Sequence, residues 1–339
     1  MGADCKSAGF AFSGSNPLPT TRNIKEVLFG VVLARPVENL LTQFSKRYRP
    51  LIGIQKSWLE RQMMSVLSSI AKIVTELKIP RMMKHGTKSK ILLKFPRLKT
   101  YIRWSKVRDP KYLNLRRFVL QNLGKSVSQL QQDLVAQFLS SVMIKKVSPQ
   151  TTPYFVEIGA NDGKYLSNTF TLENTFGWNG LLSEVNSSLT HTLFLNRPKS
   201  QIDIRAVDEI SGVKKVFNQS KNSEYSALEG VSVQAAQFID SISEIVETIN
   251  LTDLLEEFKS PKYIDFLSID TEGNEFDILK GLDFNLFRFN YIAVEVSRNQ
   301  EEITEILGSN GYIRILEEVS LWDQWWISQE VMLKLKELT

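Results

Sequence analysis

From Ser126 onward the apolar positions alternate between two rhythms. Five short apolar runs have strand length: Tyr154–Ile158, Gly180–Glu184, Gln201–Val207, Tyr263–Ile269 and Tyr291–Val296. Between them the spacing turns helical. Leu130, Leu134, Phe138 and Val142 share one face of a helix expected over Ser126–Val142, and helix-like sequence leads up to Phe176. Further helices are expected at Thr252–Phe258, capped by Asn250 or Thr252, at Glu272–Lys280 and at Gln300–Leu307. Tyr312–Leu316 opens a terminal strand pair, with Asp323 and Gln324 at its turn and Trp322, Trp325 and Trp326 expected in the core. Strands that alternate with helices need crossover connections. The pattern therefore predicts an α/β fold with a mostly parallel sheet covered by helices on both faces. Ligands of such sheets bind beyond the C-terminal ends of the strands.

The first 125 residues read differently. Gly, Ser, Asn and Pro dominate Gly9–Thr21, and Gly14-Ser15-Asn16-Pro17 is what the T-loop of a transfer-RNA gene encodes when read in frame, so residues 1–57 are expected to be poorly ordered or non-native. Lys6 spoils a myristoylation signal at Gly2, and no apolar stretch before a cleavage site suggests secretion. Leu59, Met63, Val66, Ile70, Ile73 and Leu77 form a narrow helical stripe. That helix is read as docking on its own domain or on a second copy, or as lying on an anionic membrane through Lys72, Lys78, Arg81 and Lys84. Residues 58–125 are expected to form a basic, mostly helical extension, and residues 126–339 the domain.

Charge sharpens this division. Residues 1–125 carry 25 Lys and Arg against 6 Asp and Glu, a balance of +19, while residues 126–339 carry 17 against 31, a balance of −14. A single cysteine, Cys5, excludes a disulfide framework and a Cys-based zinc site, and fits a reducing, cytoplasmic location. No run approaches the ~18 apolar residues that span a bilayer. Nucleic acid is not expected as a partner, because the basic arm carries no recognisable binding motif.

The chemistry begins where the first strand ends, at Glu157-Ile158-Gly159-Ala160-Asn161-Asp162-Gly163. Glycines there permit a tight turn and let backbone amides approach a ligand. A dinucleotide fingerprint needs glycine where Asn161 and Lys164 stand, which disfavours a nicotinamide cofactor. Glu184 closes the second strand, the position from which an acid accepts hydrogen bonds from ribose hydroxyls. Together the two signals favour an adenosine-containing ligand.

Phe155–Gly163, Ser167-Asn168-Thr169, Leu172-Glu173, Gly177-Trp178-Asn179-Gly180 and Leu267–Glu275 resemble the FkbM-like methyltransferases, with a weaker block at Ser128-Gln129 and Gln132-Asp133. The resemblance spans roughly residues 126–335. It implies a class I, Rossmann-like methyltransferase fold: a seven-stranded sheet with its last strand reversed, binding S-adenosyl-L-methionine. It also implies methyl transfer, usually to an oxygen of a sugar, glycan or secondary metabolite, so the expected partner is a small-molecule or glycan acceptor. Carried onto this chain, Glu157, Gly159, Asn161, Asp162 and Gly163 would form the methionine side of the site, with Ser167 and Asn168 nearby. Glu184 would hold the ribose, and Asp208 would receive the adenine amino group, with Val207 packed on the ring. Val185-Asn186 replaces the family's usual proline after the ribose-binding acid.

Methyl transfer from a sulfonium is an in-line displacement, and a hydroxyl acceptor must also lose its proton. Asp270, Glu272 and Glu275 are the candidates for that step, and three carboxylates in six residues offer oxygen ligands of the kind Mg2+ takes. The structural alternative is capping of the following helix. Glu295 ends the fifth strand as a further acid at the same edge, and the alternative to a core role for Trp322, Trp325 and Trp326 is stacking on a sugar or planar acceptor. The competing reading is a non-catalytic binding or scaffold protein that keeps the fold and uses the basic arm for membrane or partner contacts.

Overall fold

Pairing of the apolar runs fixes the architecture. The computed structural model describes residues 96–147, 152–219, 227–228 and 242–338. Residues 1–57 and the helix expected over 59–77 lie outside the described residues. In chain order, α1 (Pro96–Trp104), α2 (Leu113–Asn122) and α3 (Gln132–Val147) come first. Then follow β1 (Tyr154–Ile158), α4 (Phe170–Phe176), β2 (Asn179–Ser183), α5 (Thr190–Asn196) and β3 (Gln201–Asp203). Among the described residues the next elements are the strands β4 (Ala206–Asp208), β5 (Lys214–Gln219), β6 (Ala227–Leu228) and β7 (Ile242–Asn250). The chain returns through α6 (Leu251–Glu257), β8 (Tyr263–Ile269), α7 (Glu275–Lys280), β9 (Arg288–Glu295) and α8 (Gln300–Ser309). It ends with β10 (Tyr312–Ile315), α9 (Glu317–Ser320), β11 (Asp323–Ser328) and α10 (Gln329–Glu337).

A seven-stranded sheet runs in the order β10-β11-β9-β8-β1-β2-β3. β1 pairs in parallel with β2 and β8, β2 with β3, and β8 with β9, whereas β11 is antiparallel to both β9 and β10. Only the last strand is reversed, as the resemblance implied. Side-chain alternation builds an apolar layer on each face. Phe155, Tyr291, Ala293, Trp325 and Ile327 face one layer, and Val156, Ile158, Ile292, Val294 and Trp326 the other.

Several element boundaries differ from the sequence reading, each for a local reason. The third strand splits: the Asp203 carboxylate accepts Arg205 N at 2.8 Å and pairs with the Arg205 guanidinium, turning the chain so that β4 joins a second, four-stranded sheet of order β4-β7-β5-β6. The helix expected from Ser126 starts at Gln132, because Gln131 sits at φ +67° and Ser128 Oγ accepts Gln132 N at 2.9 Å. The helix expected from Glu272 starts at Glu275, because Glu272 at φ +59° and Gly273 at φ +121° break a right-handed turn. Asn250 does cap α6, accepting Asp253 N.

Asp323 and Gln324 are not in a turn. Both are buried in β11, where Asp323 Oδ2 accepts from Gln132 Nε2 at 2.7 Å and Trp325 Nε1 at 3.0 Å, and the Gln324 amide bonds to Thr304 and Trp326. The helices before residue 126 also sit deeper than an extension would. Trp104, Val107, Tyr112, Leu115 and Val119 are buried in the same apolar cluster as Leu130, Leu134 and Trp325, and the Trp104 and Trp325 rings lie 6.3 Å apart. Among the described residues no helix is long and apolar enough to cross a membrane.

Candidate functional site

At the end of β1 the chain turns sharply over the edge of the sheet. Gly159 (φ +84°) donates its N–H to Ser183 O, and a Cβ there would stand 1.8 Å from the backbone oxygen of Asp270. Only glycine allows the end of β1 to lie this close to the end of β8. Gly163 (φ +79°) serves packing instead, since a Cβ would strike Leu193 on α5 at 2.7 Å and Arg197 just after it at 2.6 Å. Asp162 Oδ1 accepts Lys164 N and Tyr165 N, closing the turn upon itself.

Glu157 is buried, and most of its carboxylate is spent inside the protein. It accepts from Asn168 N at 2.6 Å, Thr169 Oγ1 at 2.5 Å and Ser167 Oγ at 2.9 Å, and lies 3.6 Å from Arg197. Arg197, wholly buried, also pairs with Glu173 at 2.8 Å and bonds Gly163 O, Ser167 and Thr169. The acid at the end of β1 thus anchors the 159–169 loop, and Asn168 Nδ2 ties that loop to Ser268 on β8 at 3.0 Å.

Glu184 follows β2 directly. Its Oε2 accepts Asn161 N at 2.7 Å and its Oε1 accepts Asn186 N at 2.8 Å, so each oxygen keeps a lone pair for a ligand. Burial, opposed by these backbone hydrogen bonds and reinforced by the Glu157 charge, raises its carboxyl to about 7. Asp208 is placed otherwise than expected. It is buried, ion-paired with Lys215, and its oxygen accepts Glu209 N, so it does not present itself to an adenine. Val207, beside it, does line the cavity.

Acids from three neighbouring strand ends gather on the other side. Asp270 and Glu272 follow β8, Glu295 closes β9, and Asp323 opens β11 in register with Glu295. One carboxylate oxygen each from Asp270, Glu272 and Glu295 lies within 4.8 Å of the other two. Burial first, then a hydrogen bond donated to Glu295 and the charge of Glu295, with lesser repulsion from Asp323 and Glu272, raises the Asp270 carboxyl well above the carboxylate range. Asp323, buried against the same cluster, is raised to about 7. Glu275 is not in the group. It is buried, and its Oε1 accepts Gly273 N at 2.7 Å and Thr271 N and Oγ1 at 3.3 Å, so it staples the loop that carries Asp270.

A cavity of about 400 Å³ joins the two sides, within the range of small-molecule sites. Of the expected residues, Glu157, Gly159, Asn161, Ser167, Asn168, Glu184, Asp270 and Glu272 line it, and Asp162, Gly163, Asp208 and Glu275 do not. Glu295 and Trp322 line it too, the latter 46% exposed rather than core. Sequence reasoning did not find Tyr165, Leu166, Arg205, Phe217 and Leu228. Phe217 and Leu228 arrive from the second sheet, and no short motif announces a wall built by a separate sheet.

Strand order, the single reversed strand and a glycine turn facing an acid across the strand ends define a class I methyltransferase architecture. Residues 157–324 match the methyltransferase FkbM domain, and through that domain the chain belongs to the FkbM methyltransferase family. Among solved structures it is similar to methyltransferase FkbM from Methylobacillus flagellatus KT, at 12% identity and a TM-score of 0.34, covering 70% of this chain and 60% of that one. It is also similar to precorrin-6y C5,15-methyltransferase from Geobacter metallireducens GS-15, at 11% identity and a TM-score of 0.30, covering 53% and 72%. The N-terminal domain of human METTL16 in complex with SAH gives 13% identity and a TM-score of 0.33, covering 58% and 70%. No curated protein matches the sequence.

Proposed function

We propose that the chain transfers a methyl group from S-adenosylmethionine to a hydroxyl oxygen of a sugar, glycan or secondary metabolite. The observation that carries this reading is that one cavity joins Glu184 and the Gly159 turn to the hydrogen-bonded acids Asp270 and Glu295. The residues fit the cofactor. Glu184 has an acceptor lone pair on each oxygen for a vicinal diol, and Val185, Ala206, Val207 and Phe217 give an apolar wall for a flat base.

When bound, the cofactor supplies an electrophilic methyl carbon. The chain supplies alignment and a proton acceptor. Burial and the neighbouring Glu295 raise the affinity of Asp270 for a proton, so an ionised Asp270 is a strong base for the acceptor's hydroxyl proton, with the Glu295 carboxyl within hydrogen-bond reach of it. Repulsion from Asp323 and Glu272 strengthens the hold of Asp270 on a proton. Asp323 is itself held by Gln132 and Trp325, which keeps the cluster in place. The exposed Trp322 ring offers a face for the acceptor beside Glu295.

Calorimetry with S-adenosylmethionine, followed by tritium-labelled methyl transfer to a panel of sugars and hydroxylated metabolites, tests the reading. Micromolar binding and an O-methylated product support it. No binding at millimolar cofactor returns the chain to a scaffold role, and label found only on nitrogen or carbon removes the O-methyl assignment. The same assay with chelator decides between Asp270 as the base and a cation held by Asp270, Glu272 and Glu295. Transfer that survives chelation leaves Asp270 as the base.

A further inference from the structure

Between α2 and α3 lies a turn whose ordering the reaction above does not explain. Ser128, Leu130, Gln131 and Gln132 are all buried. Ser128 Oγ donates to Gln132 Oε1 at 2.5 Å, and Leu130 N donates to the same oxygen at 2.9 Å. Gln131 holds the left-handed φ of +67°, an unusual place for a residue with a side chain, and its Oε1 accepts from Trp104 Nε1 at 3.3 Å and from Arg103. Gln132 Nε2 reaches across 191 positions of sequence to Asp323 Oδ2 at 2.7 Å, and Asp323 stands in register with Glu295. Amid these locked neighbours Gln129 alone is exposed, and it lines the cavity. Among the described residues its carboxamide has no hydrogen-bond partner within the chain. A strained, over-determined turn that delivers one free amide to a cavity is the arrangement expected of a ligand contact.

We propose that Gln129 is an acceptor-binding residue that helps set acceptor specificity, an inference that rests on the methyl-transfer reading above. Its chemistry complements that of the acids lining the same cavity. A carboxylate only accepts hydrogen bonds, whereas a carboxamide donates through Nε2 and accepts through Oε1. An acceptor oxygen that gives its proton to Asp270 can receive the Gln129 N–H, and a second hydroxyl next to it can donate to Gln129 Oε1. The site therefore favours acceptors with two neighbouring oxygens, as in a vicinal diol, over compounds with a single hydroxyl.

The test uses the full chain and the variants Gln129→Ala and Gln129→Glu, the latter keeping shape and acceptor but losing the donor. Labelled-methyl transfer is measured on methyl pyranosides, inositols and single-hydroxyl alcohols. For the diol that wild type methylates best, KM is expected to rise about 5- to 10-fold in both variants, the effect of one lost neutral hydrogen bond, with kcat little changed. Calorimetric binding of that diol to protein saturated with S-adenosylhomocysteine should weaken in parallel, while S-adenosylhomocysteine affinity and thermal midpoint stay as in wild type. Unchanged KM and diol affinity in both variants overturn the proposal and leave the transfer reading standing. Wild type that prefers single-hydroxyl alcohols also overturns it. Wild type that binds cofactor but labels no hydroxyl compound removes both the transfer reading and this inference.

Discussion

Glu157 and Glu184 close neighbouring strands, yet they spend their charge differently. Glu157 is committed to Ser167, Asn168, Thr169 and Arg197, all within the chain. Glu184 gives each oxygen to only one backbone N–H and opens on the cavity. Glu184→Gln should therefore weaken S-adenosylmethionine binding by about 10- to 100-fold, since charged hydrogen bonds contribute about 1.5–3 kcal/mol. It also has a pH signature. The Glu184 carboxyl is raised to about 7, so below that pH it is mostly neutral and a poorer acceptor. Cofactor affinity should fall from pH 8 to pH 6 in wild type and stay flat in Glu184→Gln, as read by calorimetry. Equal pH dependence in both proteins would remove Glu184 from the ribose. On the acid side, Asp270→Asn keeps the shape but loses the carboxylate that takes the proton. Turnover should drop about 100- to 10,000-fold, the usual cost of losing a general base, with cofactor affinity nearly intact. A variant that keeps most of its transfer rate would leave Asp270 a structural residue.

The 159–169 loop and α5 form one unit through Arg197, which carries no exposed surface and bridges Glu157 and Glu173. Arg197→Met fills the space but strands two buried carboxylates. That should cost about 3–5 kcal/mol, far more than a surface charge change, and urea unfolding measures it. A loss under about 1 kcal/mol would mean that the loop stands without the bridge. Elements themselves were legible because their apolar periods were strong: β1 and β8 run over the expected residues, and β2 and β9 lie within a few positions of theirs. Their edges were less legible. Gln131 and Glu272 adopt left-handed backbone with side chains that do not advertise it, which delayed α3 and α7. Asp323 and Gln324 looked like turn residues because polar pairs usually are. Their partners, Gln132 and Thr304, stand 191 and 20 positions away, and no local pattern reveals such pairing. Gln129 was visible only within a family-like block, and its role depends on burial of its neighbours, which spacing does not encode.

At the scale of the molecule, the charge break near residue 125 is not a break in packing, since Trp104, Tyr112, Leu115 and Val119 share the core with α3 and β11. A chain beginning at Gly124 should lose that burial, expose Leu134 and Trp325, and be recovered insoluble or with a much lower thermal midpoint. Full solubility and unchanged melting would show that α1 and α2 are dispensable. Another consequence comes from the buried acids taken together. Burial raises Asp133 to about 6 and Asp323 and Glu184 to about 7, and pushes Asp265, Asp270 and Glu275 upward as well. In the unfolded chain these groups return to about 4. Between about pH 4 and 7 the folded state therefore holds more protons than the unfolded state, and the linkage relation makes their contribution to stability fall as pH rises through that window. It is the opposite of the trend for acids held by surface ion pairs. The thermal midpoint should drop by at least about 4 °C from pH 5.5 to pH 8, which corresponds to about 1–2 kcal/mol in a domain of this size. Asp133 lies outside the cavity and is wholly buried, with Oδ2 lacking a hydrogen-bond partner, so Asp133→Asn removes one titrating group without touching the site. That variant should gain stability at pH 8 and little at pH 5.5, flattening the curve. A wild-type midpoint that climbs with pH, or an Asp133→Asn gain that is equal at both values, would show that these acids are better solvated than their burial indicates.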